Sequence, residues 1–234
     1  LNKEVRLLVV VLQYQLALRY SNKYMNKALV TGGAGFIGSN LVDALINNGV
    51  EVIILDNLST GKLENLNKKA KFLQYDLCSI DLDELTNICS GVNVIFHLAA
   101  LARVQPSIEN PIPYHDANVT ATLNILYAAY KSGVSRLVYS ASSSCYGNTQ
   151  KIPQKESDII SPLSPYGLQK YIGEQYCSLF SEIYKLDTVS LRYFNVYGER
   201  MNLDGAYCLV TGIFARQMQE GKPLTITNDG NQRR

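Results

Sequence analysis

Short apolar segments alternate with longer amphipathic segments along the chain from Met25 onward. The apolar segments have the length of buried strands, and the amphipathic ones have the length of helices. Strands are predicted at residues 27–30, 51–55, 72–75, 94–96, 136–139 and 188–192, and helices at about 39–48, 81–89, 116–131 and 165–184. This alternation is typical of a parallel sheet with helices on both faces and right-handed crossovers. The sequence therefore predicts an α/β fold, a Rossmann-type doubly wound parallel sheet.

The same alternation predicts where the chain divides. It continues to Tyr193 and then weakens, so residues 25–193 are expected to form the sheet domain and 194–234 the start of a smaller substrate-binding region. A last strand is predicted over 224–227, followed by a polar turn at 228–231. Because a complete domain rarely stops straight after a new strand, we expect the second region to be truncated.

Residues 1–24 are interpreted as an N-terminal extension upstream of a natural start at Met25. The apolar stretch at 7–12 is soon interrupted by Gln13 and Arg19, and it is shorter than the ~20 apolar residues that a membrane-spanning helix needs. A basic start before an apolar run also allows a signal peptide, but no small-residue cleavage site follows. The sequence leaves the status of this extension open.

Composition narrows the class of protein. Of the 234 residues, 47% are hydrophobic and 18% are charged, and the formal net charge is +2, which is the balance of an ordinary soluble globular protein. So small a charge, without basic residues interleaved with aromatic ones, excludes nucleic acid as the main partner. No membrane partner is expected.

The cysteines favour a cytoplasmic protein. Cys-x-x-Cys does not occur among Cys78, Cys89, Cys145, Cys177 and Cys208. This favours reduced structural thiols over a zinc site or a disulfide framework, so no metal site is predicted.

A glycine-rich turn connects the first predicted strand to the first predicted helix. Residues 31–38 read Thr-Gly-Gly-Ala-Gly-Phe-Ile-Gly, with G-x-x-G-x-x-G at Gly32, Gly35 and Gly38. Glycines here let backbone N–H groups approach a pyrophosphate, whose charge the following helix N-terminus favours. Asp56 ends the second strand eighteen residues after Gly38, where a carboxylate binds the adenosine ribose hydroxyls and repels a 2′-phosphate. The sequence therefore predicts NAD as the cofactor, in preference to NADP or to a turn without a ligand.

A second group of residues has the chemistry of an acid–base site. Residues 140–147, Ser-Ala-Ser-Ser-Ser-Cys-Tyr-Gly, follow a predicted strand, at the sheet edge where α/β proteins bind ligands. Tyr166 and Lys170 are four positions apart, which places them on one face of a helix. A lysine ammonium and a positively charged nicotinamide would bring the Tyr166 pKa down from its usual ~10 toward the working pH. The alternative, an exposed pair on a solvated helix face, is disfavoured by the glycine turn and the serine run together.

With these motifs the chain resembles the extended short-chain dehydrogenases/reductases, specifically the NAD-dependent nucleotide-sugar epimerase/dehydratase family. The resemblance extends from Met25 to Arg234. Besides the motifs above, the matching segments are 56–58 (Asp-Asn-Leu), 76–77 (Asp-Leu), 97–100 (His-Leu-Ala-Ala), Asn118 and 191–198 (Leu-Arg-Tyr-Phe-Asn-Val-Tyr-Gly).

The resemblance implies a cofactor-binding set at the ends of the predicted strands. Asp76 and Leu77 are expected near the adenine, and Ala99 and Ala100 near the pyrophosphate and ribose. The full set is Gly32, Gly35, Phe36, Ile37, Gly38, Asp56, Asn57, Ser59, Gly61, Asp76, Leu77, Leu98, Ala99, Ala100, Tyr166, Lys170 and Tyr193.

The resemblance also implies a catalytic set, Ser142, Tyr166 and Lys170. Ser142 is expected to hydrogen-bond the reacting hydroxyl of the sugar and Tyr166 to act as acid and base. Lys170 is expected to hold the nicotinamide ribose and to polarise Tyr166. The expected substrate contacts are Ser142, Ser143, Tyr166, Asn195 and Arg234, of which the last two bind the nucleotide diphosphate.

The serine run distinguishes among the reactions of the resembled family. Sugar 4,6-dehydratases of that family usually have Thr-Asp-Glu where this chain has Ser142-Ser143-Ser144, so the carboxylates for loss of water are missing. The resemblance therefore implies an isomerase that epimerises C4 of a UDP-sugar through a 4-keto sugar, with NAD kept tightly bound. The expected substrates are UDP-N-acetylglucosamine/UDP-N-acetylgalactosamine or UDP-glucose/UDP-galactose, with UDP-glucuronate as a third option.

Other functions stay open at this stage. They are a UDP-glucuronate epimerase or decarboxylase, a nucleotide-sugar reductase, and an NAD-binding sensor or scaffold without catalysis. If the chain ends at Arg234, we expect it to bind NAD but to turn over poorly, because part of the sugar-nucleotide pocket would be missing.

The resemblance implies a cytoplasmic homodimer, joined through a four-helix interface, with a role in polysaccharide biosynthesis. The helices predicted at 116–131 and 165–184 carry apolar residues on more than one face. Packing of these helices on the sheet is the alternative explanation.

Overall fold

Six apolar segments form the six strands of one parallel sheet. The computed structural model describes residues 25–149, 151–201, 210–226 and 229. The strands are β1 Lys27–Thr31, β2 Glu51–Asp56, β3 Lys71–Gln74, β4 Val94–His97, β5 Arg136–Ser142 and β6 Asp187–Tyr193. Their order is β3-β2-β1-β4-β5-β6, and every neighbouring pair is parallel. This is the doubly wound order of the Rossmann fold, whose topological switch point lies between β1 and β4. The predicted fold class is confirmed.

The described helices are α1 Phe36–Asn47, α2 Leu82–Cys89, α3 Val104–Glu109, α4 Pro111–His115, α5 Ala121–Lys131, α6 Pro165–Tyr184 and α7 Val210–Gln219. Short 3₁₀ turns lie at Leu63–Asn65 and Ser143–Tyr146, and a π-helical turn lies at Asp116–Thr120. The observed bounds of α6 are those predicted. The start of this helix has two strong local signals. Ser164 is the N-cap, and Pro165, which has no N–H to leave unpaired, takes the first helical position.

Two predictions about elements are wrong. The helix predicted from about residue 116 begins at Pro111, and the π-helical turn separates α4 from α5. A π turn accommodates one extra residue, a feature that often marks a functional site. The strand predicted over 224–227 does not form at 224–226. There the Thr225 N–H donates to Gln217 Oε1 of α7 at 3.0 Å, and residue 227 lies outside the described residues.

The sheet has an apolar core on each face. Val30 and Phe96 pack with the apolar residues of α1 on one face. Leu29 and Ile95 pack with those of α2, α5 and α6 on the other. Successive residues of a strand point to opposite faces, and both sets are apolar because helices cover both faces.

The chain divides into two compact units between Phe194 and Asn195. The first contains the six-stranded sheet and α1 to α6, and α7 lies in the second. The roles expected for these regions, cofactor binding and substrate binding, stay predictions. Across the ranges that the structure describes, no helix is long and apolar enough to span a bilayer.

Four of the five cysteines lie in the described part of the chain, and all four are unpaired: Cys78, Cys89, Cys145 and Cys177. Burial raises the pKa of Cys89 and of Cys177 to about 12. These two thiols are therefore protonated at neutral pH and pack as small apolar groups. Cys208 lies outside the described residues.

Candidate active site

The glycine turn after β1 is closed so tightly that two of its glycines have no room for a side chain. Gly32 has φ +70°, and a Cβ there would lie 2.7 Å from the Ala99 backbone nitrogen. A Cβ on Gly38 would lie 2.2 Å from the Gly32 carbonyl oxygen. The N-cap of α1 is Gly35, so no N-cap side chain accepts a hydrogen bond from the first backbone N–H groups of the helix. The first turn also has no acidic residue. No carboxylate of that turn competes for its amides, so the helix start fits the pyrophosphate of a dinucleotide.

Asp56, at the end of β2, holds the glycine turn from the side. Its buried carboxylate accepts hydrogen bonds from the backbone N–H of Ala34 through Oδ2 at 3.0 Å and of Leu58 through Oδ1 at 2.8 Å. Gly61 approaches the same place, since a Cβ there would lie 2.8 Å from the Ala34 Cβ and 3.0 Å from Asp56 Oδ1. The Asp56 carboxylate therefore fixes the backbone at Ala34 and at Leu58, on either side of the expected ribose site.

The residues expected near the adenine are linked by hydrogen bonds between the ends of β2 and β3. Asn57 Nδ2 donates to Asp76 Oδ2 at 2.9 Å, and Asn57 Oδ1 accepts from the Ser59 N–H. The Cys78 N–H donates to Asp76 Oδ1 at 2.8 Å, and this bond is the main cause that lowers the Asp76 pKa. Leu77 is buried in the core, so its side chain faces away from solvent.

A buried hydrogen-bond network, not predicted from the sequence, holds the segment after β4. Thr122 donates its hydroxyl proton to the Asn118 carbonyl oxygen at 2.8 Å, so its Oγ1 accepts from His97 Nε2 at 2.9 Å. His97 Nδ1 is then the acceptor, and Thr31 Oγ1 donates to it at 2.7 Å. Thr31 Oγ1 in turn accepts from the N–H groups of residues 98 and 99 at 3.2 Å each. The network thereby fixes the backbone expected to face the pyrophosphate.

This network requires a neutral His97. The ring is fully buried, which lowers the pKa of His97 from 6.5 to about 3. The unfolded chain therefore binds one more proton than the folded chain between these two pH values, so stability falls as the pH falls through this window. We expect this one group to lower the free energy of unfolding by up to about 5 kcal/mol between pH 6.5 and pH 3.

Urea unfolding of the wild type and of His97→Gln, followed from pH 6.5 to about pH 4.5, measures this effect. The variant should lose part of the pH dependence, whatever its absolute stability. His115→Gln, which removes the exposed histidine, is the matched control and should keep the wild-type slope. Equal slopes for the wild type and His97→Gln would contradict the assignment.

Two serines hold the first turn of α6, which carries Tyr166. Ser164 Oγ accepts from the Gly167 N–H at 3.1 Å. Ser107, on α3, accepts from the Tyr166 N–H through its Oγ at 3.1 Å and donates to the Val104 carbonyl oxygen at 2.6 Å. The Tyr166 backbone is therefore fixed by a residue 59 positions earlier in the chain, which no local pattern indicates.

Asn118, in the π-helical turn, ties α6 to the loop after β4. Its Oδ1 accepts from the Leu101 N–H at 2.9 Å, and its Nδ2 donates to the Leu101 carbonyl oxygen at 3.0 Å and to Gln169 Oε1 at 3.1 Å. Gln169 Nε2 donates to the Pro111 carbonyl oxygen at 3.3 Å. The turn thus places one buried amide between the loop after β4 and α6. Asn118 is among the residues that match the resembled family, but no role in the site was predicted for it.

Ser142 and Tyr166 lie together at the carboxyl end of β5. Burial raises the pKa of Tyr166, and a hydrogen bond with Ser142 partly opposes that rise. Ser142 Oγ also accepts from the Ser144 N–H at 3.1 Å. Burial lowers the pKa of Lys170 to about 8. In the protein chain alone, desolvation therefore outweighs the other effects on the Tyr166 pKa. The expectation that Lys170 and the nicotinamide together bring this pKa down stays a prediction.

Arg192 of β6 braces the serine run from the other side. Its guanidinium forms a salt bridge with Glu174 of α6, with Nε 3.0 Å from Oε2. It also donates to the Tyr146 hydroxyl at 2.8 Å and to the Glu156 carbonyl oxygen at 3.0 Å. The pair ties the 3₁₀ turn after β5 to α6 and was not predicted from the sequence.

The remaining predicted contacts lie near the end of β6 or beyond it. Tyr193 is opposite Ser142 in the β5–β6 register. Asn195 is an exposed residue of the second unit, and Arg234 lies outside the described residues. Their expected substrate contacts stay predictions.

The strands bring most of the predicted site residues to one edge of the sheet. The glycine turn, Asp56, Asp76, the segment 98–100, Ser142 and Tyr193 each lie at or just after the carboxyl end of a different strand. This edge binds the ligand in doubly wound sheets. The fold and the site define a Rossmann-type dinucleotide-binding protein with a tyrosine and a lysine beside the ligand-binding edge. The chain belongs to the NAD dependent epimerase/dehydratase family, whose family model matches residues 28–234. The predicted family and the predicted cofactor, NAD, are confirmed.

Individual relatives are similar over most of the chain. A putative UDP-glucose 4-epimerase of Methanocaldococcus jannaschii is 45% identical over 207 residues, which cover 88% of this chain and 67% of that protein. The structure of UDP-N-acetylglucosamine 4-epimerase from Methanobrevibacter ruminantium in complex with UDP-N-acetylmuramic acid is 40% identical with a TM-score of 0.84, and the match covers 90% of this chain and 68% of that one. UDP-glucose 4-epimerase from Thermus thermophilus in complex with NAD is 38% identical with a TM-score of 0.76, over 84% of this chain and 64% of that one. The chain thus spans about two thirds of the length of these relatives.

Proposed function

We propose that this protein is an NAD-dependent 4-epimerase of UDP-sugars. The observation that carries the proposal is the pairing of Ser142 with Tyr166 one helical turn from Lys170, at the edge of the sheet where the glycine turn lies. A scaffold or sensor would need the glycine turn but has no chemical use for this second set of residues. The family and the relatives at 38–45% identity support the same reaction class.

Each of the three residues has a distinct task in the proposed reaction. Tyr166 takes the proton of the C4 hydroxyl as the C4 hydride leaves. After the 4-keto sugar has rotated to present its other face to the nicotinamide, the hydride returns to C4 and Tyr166 returns the proton to the oxygen. Ser142 hydrogen-bonds the same hydroxyl and positions it against the Tyr166 oxygen. Lys170 holds the nicotinamide ribose. When bound, NAD supplies the hydride acceptor and the positive charge that opposes the rise of the Tyr166 pKa.

The serine run supports epimerisation over dehydration. Loss of water from a sugar needs an acid and a base at adjacent carbons, whereas Ser142-Ser143-Ser144 carries only hydroxyls. Those hydroxyls suffice to orient a substrate whose proton is moved by Tyr166. A 4-epimerisation leaves the cofactor in its starting redox state, so one tightly held NAD serves repeated turnovers.

The substrate pair is either UDP-N-acetylglucosamine/UDP-N-acetylgalactosamine or UDP-glucose/UDP-galactose, and UDP-glucuronate is the third candidate. The relatives named above include proteins described for each of the first two pairs. Discrimination depends on the space around the C2 substituent.

Product analysis tests the proposed reaction. The protein is incubated separately with UDP-N-acetylglucosamine, UDP-glucose and UDP-glucuronate and with NAD far below the substrate concentration, and products are followed by proton NMR. The expected result is a C4 epimer with no net formation of NADH. Consumption of NADH in a parallel incubation that contains NADH in place of NAD would replace the epimerase with a reductase, and release of CO₂ would replace it with a decarboxylase.

We also propose a homodimer joined through α5 and α6. Apolar and aromatic side chains are exposed on these two helices, and the Tyr130 and Tyr184 rings lie 4.7 Å apart by their centroids. Leu179 and Ile183 continue the exposed surface along α6, with 44% and 58% of their surface accessible. Light scattering after gel filtration should give twice the chain mass. A monomer at all concentrations would contradict the proposal.

A further inference from the structure

We propose that Tyr139 is a positioning residue that holds the Lys170 ammonium in place on its ring face, and that Gly173 exists in α6 to make room for it. This inference rests on the proposed role of Lys170. Neither Tyr139 nor Gly173 was predicted as a site residue, and neither would touch the substrate. Their effect is exerted through Lys170.

The Tyr139 ring lies under the ammonium. Tyr139 is in β5 and is fully buried, and Lys170 Nζ lies 4.6 Å from the centroid of its ring. Lys170 itself is 4% exposed, and no salt bridge within the described ranges involves it. A charged group taken out of water needs a compensating partner. The electron-rich ring face is such a partner, and its attraction for a cation is strongest where water is excluded.

The Tyr139 hydroxyl also hydrogen-bonds the backbone of Lys170. It donates to the Lys170 carbonyl oxygen at 3.3 Å. It occupies a notch in α6, because a Cβ on Gly173 would lie 2.3 Å from Tyr139 Oη and 2.6 Å from Cζ. The His97 ring stacks on Tyr139 with centroids 5.8 Å apart. Tyr139 is therefore held by β4 and α6, and it contacts both the head and the backbone of Lys170.

The contact with Tyr139 explains why a glycine, which destabilises a helix interior, stands at position 173. It lies inside α6, where glycine is less favourable than alanine, and it takes no part in a turn. An alanine methyl would displace the Tyr139 ring from beneath the ammonium. The absent Cβ and the buried hydroxyl thus form one complementary pair.

Of the described groups that surround Lys170 and have a shifted pKa, none other titrates near pH 8. The titratable groups around it are His97 on β4, Tyr139 on β5, and Tyr166, Glu174 and Cys177 on its own helix. Burial brings the pKa of His97 to about 3 and that of Cys177 to about 12, and it raises those of Tyr139 and Tyr166. Glu174 is paired with Arg192. A change near pH 8 therefore reports Lys170.

The test is the Lys170 pKa itself, measured in the intact protein with and without NAD. Lysine ¹³Cε chemical shifts are titrated, and the Lys170 signal is assigned by its loss in Lys170→Arg. Tyr139→Leu removes the ring face and should lower the Lys170 pKa by about one unit. Tyr139→Phe keeps the ring and should leave the Lys170 pKa at the wild-type value, although it loses the hydroxyl contact. An unchanged pKa in Tyr139→Leu would overturn the proposal, as would an equal fall in both variants.

Gly173→Ala keeps the proposal testable if Tyr139→Leu does not fold. It should lower the Lys170 pKa, and an unchanged Lys170 pKa in Gly173→Ala would then contradict the proposal. Where Tyr139→Leu does fold, adding Gly173→Ala to it should change the Lys170 pKa little, because the ring is already gone. Independent, additive effects would contradict the coupling. Lys170→Met separates this inference from the proposed function. If Lys170→Met retains full epimerisation, the role of Lys170 fails. If Lys170→Met abolishes epimerisation and the Lys170 pKa in Tyr139→Leu equals the wild-type value, only the proposed role of Tyr139 fails.

Discussion

Tyr166→Phe is expected to lower kcat for UDP-sugar epimerisation by about 10² to 10⁴, the usual contribution of a positioned acid–base group. The phenyl ring fills the same volume, and the backbone N–H of residue 166 keeps its bond to Ser107 Oγ at 3.1 Å. The loss is therefore confined to the proton transfer, and bound NAD should be retained. Initial rates by coupled assay, together with NAD content after purification, measure both effects.

Tyr171→Phe is the matched control for this experiment. Tyr171 lies five residues further along the same helix and is only partly buried, and it has no place in the proposed chemistry. It should retain wild-type kcat. Wild-type activity in Tyr166→Phe would remove Tyr166 from its role. A parallel loss of NAD in that variant would instead indicate that the phenol holds the cofactor.

Gly38→Ala is expected to weaken NAD binding by at least about tenfold, equivalent to about 1.4 kcal/mol, and to lower the free energy of unfolding by about 1 to 3 kcal/mol. The added Cβ would meet the Gly32 carbonyl oxygen at 2.2 Å. Because the contact is with backbone, no side-chain rotation relieves it. The turn must open, and the amides at the start of α1 then leave the positions that suit a pyrophosphate. Isothermal titration with NAD and urea unfolding without it measure the two effects.

Gly133→Ala separates loss of the cofactor site from general loss of stability. Gly133 has φ +72° and open space around its Cβ position, so alanine there is strained by about 1 kcal/mol or more. It lies between α5 and β5, at the edge of the sheet opposite the site. NAD affinity should be unchanged. If Gly38→Ala binds NAD as tightly as this control does, the turn is not the pyrophosphate site.

Elements with strong local signals could be predicted closely. The α6 bounds were predicted as observed, and the structure shows the local signals at its start, the N-cap Ser164 and Pro165. The cofactor turn followed from glycines between a strand and a helix. The π-helical turn at Asp116–Thr120 was missed. Its residues satisfy an ordinary helical pattern, and it serves bonds that Asn118 makes to Leu101 and Gln169, both distant in the sequence.

The ionisation of the site could not be predicted from residue spacing. Four positions between Tyr166 and Lys170 place them on one face of a helix, but spacing does not give the extent of burial. Desolvation acts in opposite directions on the two groups, raising the pKa of Tyr166 and lowering that of Lys170. The partners that offset this cost, Ser142 and the Tyr139 ring, come from β5.

The sequence by itself determined the fold class, the family and the cofactor, because these depend on periodicity and on short motifs whose residues are adjacent along one strand, turn or helix. The tertiary structure decided how the site is held. His97 meets Thr31 across 66 positions, Ser107 meets Tyr166 across 59, and the Tyr139 hydroxyl meets the Lys170 carbonyl oxygen across 31. Such contacts form only when the strands are assembled in the order β3-β2-β1-β4-β5-β6. Burial, which sets the pKa values and leaves room only for glycine at Gly38 and Gly173, is likewise a property of the packed molecule.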